Sequence, residues 1–532
     1  MKNSPFFYAS ILYFLLYSCA NPSSPTGGQK DDKKPKLSKT FPKNGSTHFR
    51  GKIVAFTFDE WVDENNLKDQ VLITPKIETY KHSVNKNTLT LTFDSGAFKP
   101  NTTYYINLRE GLKDITEGNK TDSTTLVFST GKYLDSLSYS GKVYYLLENK
   151  SDKNISVALY EPSDTFHIET ASPLYLTKTD DAGKFTFSYL KQGTYLVYAF
   201  QDENKNGTYT PNKEPIAYRA QPLSISSSIS SETLGLVKED HEKPKIKRIE
   251  SNKKKLTKIV YQKPIKTLYI KQIHTYDMNI CSMLKQDEVS IFTSSPAKDS
   301  VQFILEASDI ALNTKLDTVK LTSQFIDTVQ YKVNCTPPKN SQIEPTEPIQ
   351  INLSKPYAKF SNNLELHIGA KRYKGTELHQ VVDIKEIPYQ ATIQLIPKTE
   401  WKDTVKLFVL PSCFTPISGY IKDTLKTKYS LKSLEKYGSI GGQVESSISN
   451  FIIQLLSKDG KVLKEVYNKK DFLFEYLNDG EYKLRVIEDT NQNLIWDQGD
   501  FRTRKMPENI HHYPDVIKLK SSWEILDVKI RF

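Results

Sequence analysis

Ile53-Val54-Ala55-Phe56-Thr57-Phe58 and, further on, Thr88-Leu89-Thr90-Leu91-Thr92-Phe93 each alternate an apolar residue with a small or polar one. Successive side chains of a strand point to opposite faces, so Val54, Phe56 and Phe58 share one face, as do Leu89, Leu91 and Phe93. Both runs therefore read as half-buried antiparallel strands, and Leu126 to Phe128 extends the pattern. Turn chemistry separates the runs. Lys99-Pro100-Asn101-Thr102 precedes Tyr104-Tyr105-Ile106-Asn107-Leu108, and Asp114-Ile115 is followed by Gly118-Asn119. The segment closes at Ser129-Thr130-Gly131.

The rest of the chain leans the same way. Its 31 Tyr, 25 Phe and only 4 Met favour strands over helices, while 38% hydrophobic and 25% charged residues are ordinary for globular domains. A chain of 532 residues exceeds one core, and usual domain sizes give about three to five units. The net charge of +11 comes from scattered lysines, with a local concentration at Lys243 to Lys258. No stripe of interleaved aromatic and basic residues accompanies them, which argues against a nucleic-acid partner; the charge serves solubility or a loose attraction to anionic surface polymers.

Phe56-Thr57-Phe58-Asp59-Glu60, Pro100-Asn101-Thr102-Thr103-Tyr104, Asp114 with Gly118-Asn119, and Phe128-Ser129-Thr130-Gly131 together resemble the bacterial Ig-like domain of the S-layer (SbsA) type. The resemblance spans residues 37–131. It implies a β-sandwich used as a spacer or adhesive unit, without a shared active site.

A second pattern lies further along. Phe185-Thr186-Phe187-Ser188-Tyr189-Leu190, Gly193, Tyr195, Asp202, Asn204 and Asn206 return 287 residues later as Phe472-Leu473-Phe474-Glu475-Tyr476-Leu477, Gly480, Tyr482, Asp489, Asn491 and Asn493. One constant offset over that length marks an internal repeat. Each copy opens on a similar strand, Ser140-Gly141-Lys142-Val143 and Gly441-Gly442-Gln443-Val444. These copies, 135–237 and 438–532, resemble the prealbumin-like (transthyretin-like, Cna-B or carboxypeptidase-regulatory-like) β-sandwich. Between them, Lys255 to Tyr261, Ser308-Asp309-Ile310-Ala311-Leu312-Asn313, Pro345 to Leu353 and Gly419 to Thr424 loosely echo the first segment. They divide this stretch into two degenerate Ig-like modules, 243–336 and 340–435, with a seam near Thr336-Pro337-Pro338-Lys339. The fold expected is all-β, with tandem β-sandwich modules.

The N-terminus supplies an address. Lys2 precedes the apolar run Phe6 to Leu16, then Leu16-Tyr17-Ser18-Cys19, after which the chain turns polar. The run is too short to span a bilayer, so residues 1–18 read as a cleaved signal peptide and Cys19 as a lipidated N-terminal residue. Residues 19–36, rich in Pro, Gly, Ser and charge, would form a flexible tether. The whole resembles an Ig-like domain lipoprotein of Gram-negative bacteria. That resemblance implies an exported protein anchored to the outer membrane or cell surface, its periplasmic face included, with an envelope protein or polysaccharide as partner.

Candidate chemistry is sparse. Asp202, Asn204 and Asn206 with Gly207 match the opening of a calcium loop, where alternating side-chain oxygens converge on a hard cation, but Lys213 stands where the closing carboxylate belongs. In the second copy Asp489, Asn491, Asn493, Asp497 and Asp500 occupy the first, third, fifth, ninth and twelfth positions, although Leu494 replaces the glycine. The competing reading is a turn in which Asn and Asp bond their own backbone. With Cys19 assigned to lipid, Cys281, Cys335 and Cys413 leave an odd count, read as buried free thiols, or as a Cys281–Cys335 bridge with one thiol left over.

Asp-Ser and Asp-Thr pairs place Ser123, Ser136, Ser300, Thr318, Thr328, Thr404 and Thr424 in a pattern resembling a short O-glycosylation acceptor, or mark strand starts. Trp61, Trp401, Trp496 and Trp523 would form sugar platforms if exposed, and core if not. No Gly-x-Ser-x-Gly, His-Glu-x-x-His, phosphate loop or dinucleotide fingerprint occurs. The function expected is a non-catalytic structural, adhesive or assembly scaffold. The alternatives are a carbohydrate-binding accessory protein and a cryptic hydrolase.

Overall fold

The computed structural model describes residues 31–532 apart from 78, 253–254, 273–279, 294–300, 322–329 and 418. Strands dominate it, and their sheets fall into successive sandwiches. By contact the chain forms two compact units. One holds the residues up to Val143 with Asp152–Ala199 and Gln221–Leu234; the other holds Tyr144–Ser151, Phe200–Ala220 and Gly235–Phe532.

The first unit opens with a sheet of Leu37–Phe41, Ile53–Phe58, Thr88–Phe93 and Tyr80–Asn85, facing Leu72–Thr74, Thr103–Asn107 and Thr125–Ser129. Alternation decides which side is buried: Val54, Phe56, Leu89 and Leu91 are fully inaccessible and share one core with Ile106, Leu126 and Phe128. The Asp114 turn is built from its carboxylate, which accepts backbone N–H bonds from Glu117 (2.6 Å), Gly118 (2.9 Å) and Asn119 (2.8 Å). A second sandwich follows. Lys184–Leu190, Leu137–Tyr145 and Ile229–Leu236 make one sheet, and Tyr175–Lys178, Ser156–Tyr160, Gly193–Phe200 and Leu223–Ile225 lie in the other.

The second unit contains three sandwiches. In one, Ile246–Asn252, Lys255–Tyr261, Glu288–Thr293 and Ile280–Lys285 face Ile265–Gln272, Val301–Asp309 and Thr314–Leu321. The next is larger, with Trp401, Leu366, Ile393 and Tyr429 in its core. The last repeats the strand order of the 137–236 sandwich: Asp471–Leu477, Gly438–Glu445 and Glu524–Arg531 in one sheet, and Val462–Tyr467, Phe451–Ser457, Gly480–Glu488 and Ile517–Leu519 in the other.

One boundary differs from the sequence reading. Val333–Thr336, placed at the end of the 243–336 module, pairs with Ile349–Leu353 instead. Cys335 and Tyr331 bury in the core of the following sandwich, and the Tyr331 phenol donates to Pro356 O at 2.6 Å, so that sandwich begins by residue 331 rather than at 340. Burial of an apolar strand face outweighs the Pro337-Pro338 punctuation that suggested the seam.

The glycines that open each repeat have a steric cause. Gly442 sits where the first strand of its sandwich runs parallel to the last, in register with Val528, and a Cβ there would lie 1.9 Å from Val528 O. Gly141 meets the same constraint, 2.3 Å from Glu232 O. Backbone cannot yield as a flexible side chain can, so Gly442→Ala should cost about 2 kcal/mol or more. Gly480→Ala is the control, since its nearest neighbour would be the Tyr482 ring at 3.7 Å. Urea unfolding should show a clear loss for the first variant and little for the second.

Candidate functional site

The repeated loops preserve their conformation as well as their letters. Lys205 and Gln492 both have positive φ (58° and 60°), as do Gly207 (78°) and Leu494 (61°). Leu494 thus adopts a left-handed conformation that glycine takes without strain. The hydrogen bonds correspond too. Asp202 accepts from Asn206 N (3.0 Å) and Gly207 N (2.9 Å), and Asp489 from Asn493 N and Leu494 N (both 3.0 Å). Tyr195 and Tyr482 each donate a phenol proton to the carbonyl four residues earlier, Lys191 O and Asn478 O, at 2.7 Å.

A clamp that sequence reasoning missed closes each loop. Buried Glu214 accepts Glu203 N (3.1 Å) and Thr210 N (2.8 Å), and buried Glu508 accepts Thr490 N (2.7 Å), Thr490 Oγ1 (2.9 Å) and Asp497 N (3.1 Å). A usable signal was present, because each Glu stands two residues before an isoleucine that opens a short strand, Ile216 and Ile510. Seven extra residues in the second copy hide the correspondence from a constant offset.

As folded, both loops satisfy their own polar groups. Asp489, Asn491, Asn493 and Asp497 do converge, but both asparagine amides turn Nδ2 toward Asp497, Asn493 at 3.5 Å and Asn491 closer, while their oxygens accept backbone N–H bonds. Asn204 likewise donates Nδ2 to Thr210 Oγ1 at 2.9 Å, and Asn206 Oδ1 accepts Thr208 N at 2.8 Å. Self-satisfied turns describe both loops.

Asp500 leaves the set altogether. Gly499 has a left-handed φ of 83°, and a Cβ there would lie 2.7 Å from Lys505 O, Pro507 N and Tyr218 Oη. Asp500 lies 3.9 Å from the His241 ring.

The loops also meet other parts of the second unit. Leu146, Val237, Ile452, Ile487 and Ile510 form one buried cluster, with Trp496 packed against it. Tyr209, which stands at the matching position of the first copy, packs edge-on against Phe501 at 5.0 Å. Polar contacts frame the cluster: Arg485 Nη1 donates to Leu147 O (2.7 Å), and His512 Nε2 lies 2.8 Å from Leu146 O. Burial pulls both basic groups below their ordinary pKa values, for His512 against the opposing pull of that carbonyl.

Beside this cluster opens a cleft of about 600 Å³ lined by Trp496, Tyr467, Glu465, Gln454, Arg485 and Asp240, among others. A relay runs along its wall. Arg485 Nε donates to Gln454 Oε1 (2.6 Å), Gln454 Nε2 to Glu465 Oε1 (2.6 Å), and the Tyr467 phenol to Glu465 Oε2 (2.6 Å).

The four tryptophans divide. Trp401 is core at 2% exposure, Trp496 is half-buried at the cleft, and Trp61 and Trp523 are 60% and 50% exposed. Cys335 and Cys413 are buried free thiols whose pKa burial raises, to about 11 for Cys413. Cys19, the Cys281 side chain, Ser300 and Thr328 lie outside the described residues. Of the other acceptor candidates, Ser123 donates to Asn107 Oδ1 at 3.0 Å and Thr318 is paired within a strand opposite Ile304. Ser136, Thr404 and Thr424 sit at or just before strand starts.

Residues 31–130 match the family model of the bacterial Ig-like domain. The first sandwich of this all-β chain is therefore a bacterial Ig-like domain. Residues 148–231 match a family described as an uncharacterized protein conserved in bacteria (DUF2141). No curated protein matches the chain. Among solved structures it is similar to the Bacillus anthracis TIE protein, at 9% identity over 100% of this chain and 79% of that one, TM-score 0.13. It is also similar to the N-terminal part of the bacterial S-layer protein SbsC, at 18% identity over 37% and 42%, TM-score 0.15. A third is the Bacteroides ovatus mixed-linkage glucan utilization locus protein SGBP-B, at 10% identity over 73% and 94%, TM-score 0.18. At such TM-scores these likenesses carry no weight for function.

The clamp gives a direct test. Glu508→Ala leaves three donors without their acceptor, and should cost about 3 kcal/mol in urea unfolding. Millimolar calcium should leave the melting temperature of the unsubstituted chain unchanged.

Proposed function

We propose that the chain is a non-catalytic scaffold of the cell envelope, anchored through a lipid on Cys19, whose sandwiches hold structural, adhesive or assembly contacts. One observation carries this reading: the described side chains with most chemical potential are spent on holding segments together. Glu214 and Glu508 clamp loops, Arg485 and His512 bind carbonyls, and the cleft carboxylates Asp240, Glu465 and Asp497 are all tied into hydrogen bonds. A bacterial Ig-like domain at residues 31–130 fits such a role. Partners would be envelope proteins or polysaccharides, with no nucleic acid.

The cleft favours a second reading, in which the scaffold holds a polysaccharide. Trp496 and Tyr467 offer aromatic surface, and the Arg485–Gln454–Glu465 relay offers fixed donors and acceptors beside it. That pairing of flat apolar faces with convergent polar groups suits sugar rings.

Two experiments separate these statements. Cys19→Ser should move the protein from the membrane to the soluble fraction; retention in membranes would contradict the anchor. In affinity gels cast with envelope polysaccharide, Trp496→Ala should weaken retardation at least tenfold while Trp523→Ala leaves it intact. Equal behaviour of the two variants and the parent would remove the saccharide reading and leave the scaffold.

A further inference from the structure

The two repeat copies treat the same sheet face differently. In the 137–236 sandwich residues 161–174 join Ser156–Tyr160 to Tyr175–Lys178, whereas in the 438–532 sandwich residues 458–461 alone join Phe451–Ser457 to Val462–Tyr467. The longer connection roofs its sheet: Phe166 stacks on Tyr198 with ring centroids 5.6 Å apart and meets Tyr160 edge-on at 5.1 Å. The repeat offset of 287 sets Arg485 at the position of Tyr198. The second copy thus carries, in place of a roofed aromatic residue, a cation on the wall of the cleft.

Arg485 is only 7% exposed, and a charge so buried normally has a counter-ion. Its hydrogen bonds go instead to neutral oxygens, Gln454 Oε1 at 2.6 Å and Leu147 O at 2.7 Å, and it makes no ion pair among the described residues. Glu148 and Glu465 act on it only at longer range. Its Nη2 group has no described acceptor, and the side chain lines the cleft.

The other charges of the cleft sort the same way. Asp240 is held by Lys263 at 2.8 and 2.7 Å, Asp497 accepts from both loop asparagine amides, and Glu465 takes Gln454 Nε2 and the Tyr467 phenol, both at 2.6 Å. Lys266, exposed at the cleft, has no partner among the described residues. What stays uncommitted is therefore positive, in a chain whose net charge is +11. Trp496 supplies flat apolar surface in the same cleft.

We propose that the cleft binds an acidic saccharide of the uronate type, its carboxylate on Arg485 and Lys266 and its ring against Trp496. This rests on the saccharide reading of the cleft and adds the charge of the ligand. A planar guanidinium pairs with a planar carboxylate through charge-assisted hydrogen bonds, which gives Arg485 the counter-ion it lacks. A neutral sugar leaves that cation unpaired, so the cleft selects for the acid. The ligand covers the face that residues 161–174 cover in the first copy.

The test is calorimetric titration of the full chain, in about 0.15 M salt to screen loose attraction, with oligogalacturonate and with its methyl ester, which keeps the rings and removes the charge. The acid should bind about tenfold or more tightly than the ester. Arg485→Gln should abolish that preference, weakening the acid about 10- to 100-fold and leaving the ester unchanged, while Trp496→Ala should weaken both. Because Arg485 also holds Leu147 O, Lys266→Gln supplies a variant outside the folding contacts. It should weaken the acid about two- to fivefold, and Lys320→Gln, the same charge change at another exposed position, should not. Equal binding of acid and ester would overturn the proposal and keep the saccharide reading, and binding of neither would overturn both. A preference for the acid that survives in Arg485→Gln and in Lys266→Gln would be non-specific attraction and would overturn the proposal as well.

Discussion

Asp240 is the residue through which the segments of the second unit are joined. Its backbone N–H donates to Gln498 Oε1 (2.9 Å), and its carbonyl accepts from Gln498 Nε2 (2.7 Å) and Asn313 Nδ2 (2.7 Å). Its carboxylate takes Lys263 Nζ at 2.8 and 2.7 Å, and the same ammonium reaches buried Asp309 at 2.6 Å. One residue of a connecting segment thus binds the 243–321 sandwich on one side and the second repeat loop on the other. Burial pulls the Lys263 pKa down, but Asp240 and Asp309 together pull harder and leave it raised. Of the three charges only Asp309 is buried, the Asp240 side chain being 39% exposed, so solvent screens the Asp240–Lys263 pair and its loss costs about 1 kcal/mol, while Lys263 is what compensates the buried Asp309 charge.

Around that hub the apolar cluster supplies most of the attraction. Leu146, Val237, Ile452, Ile487 and Ile510 are all buried, and each such side chain contributes roughly 1.5–3 kcal/mol. The hydrogen bonds of Arg485, His512 and Gln498 select the geometry in which this burial occurs, because each polar group is satisfied only there. Two loops that share an ancestral pattern have taken different partners. The aromatic residue of one, Tyr209, packs on Phe501, and that of the other, Trp496, packs beside Ile487 and Ile510.

Much of the fold was legible because alternation and repetition are local signals. Val54, Phe56 and Phe58 point inward as their spacing requires, and the repeat reappears as matched hydrogen bonds at Asp202 and Asp489. Asp309, placed by a weak echo of Asp114, does accept the backbone N–H of Asn313 at 2.8 Å. What was hidden depends on contacts distant in sequence. Spacing alone put Asp500 in a calcium set, but its carboxylate lies by His241. The offset of Glu214 and Glu508 breaks the repeat period and so hides them, and Pro337-Pro338 marks a boundary in sequence although Cys335 lies in the core beyond it. The meeting of residues near 240 with residues near 500 leaves no trace in composition or periodicity.

Calorimetric unfolding tests the joining role of Asp240 most directly. If Asp240 couples the 243–321 sandwich to the 438–532 sandwich, the two should melt together in the unsubstituted chain, and the double variant Asp240→Ala/Gln498→Ala, which removes the carboxylate that holds Lys263 and the side chain that both donates to and accepts from the Asp240 backbone, should split that transition into two resolved steps, the earlier at lower temperature. An unchanged single transition in the variant, or two independent steps already present in the parent, would contradict the account.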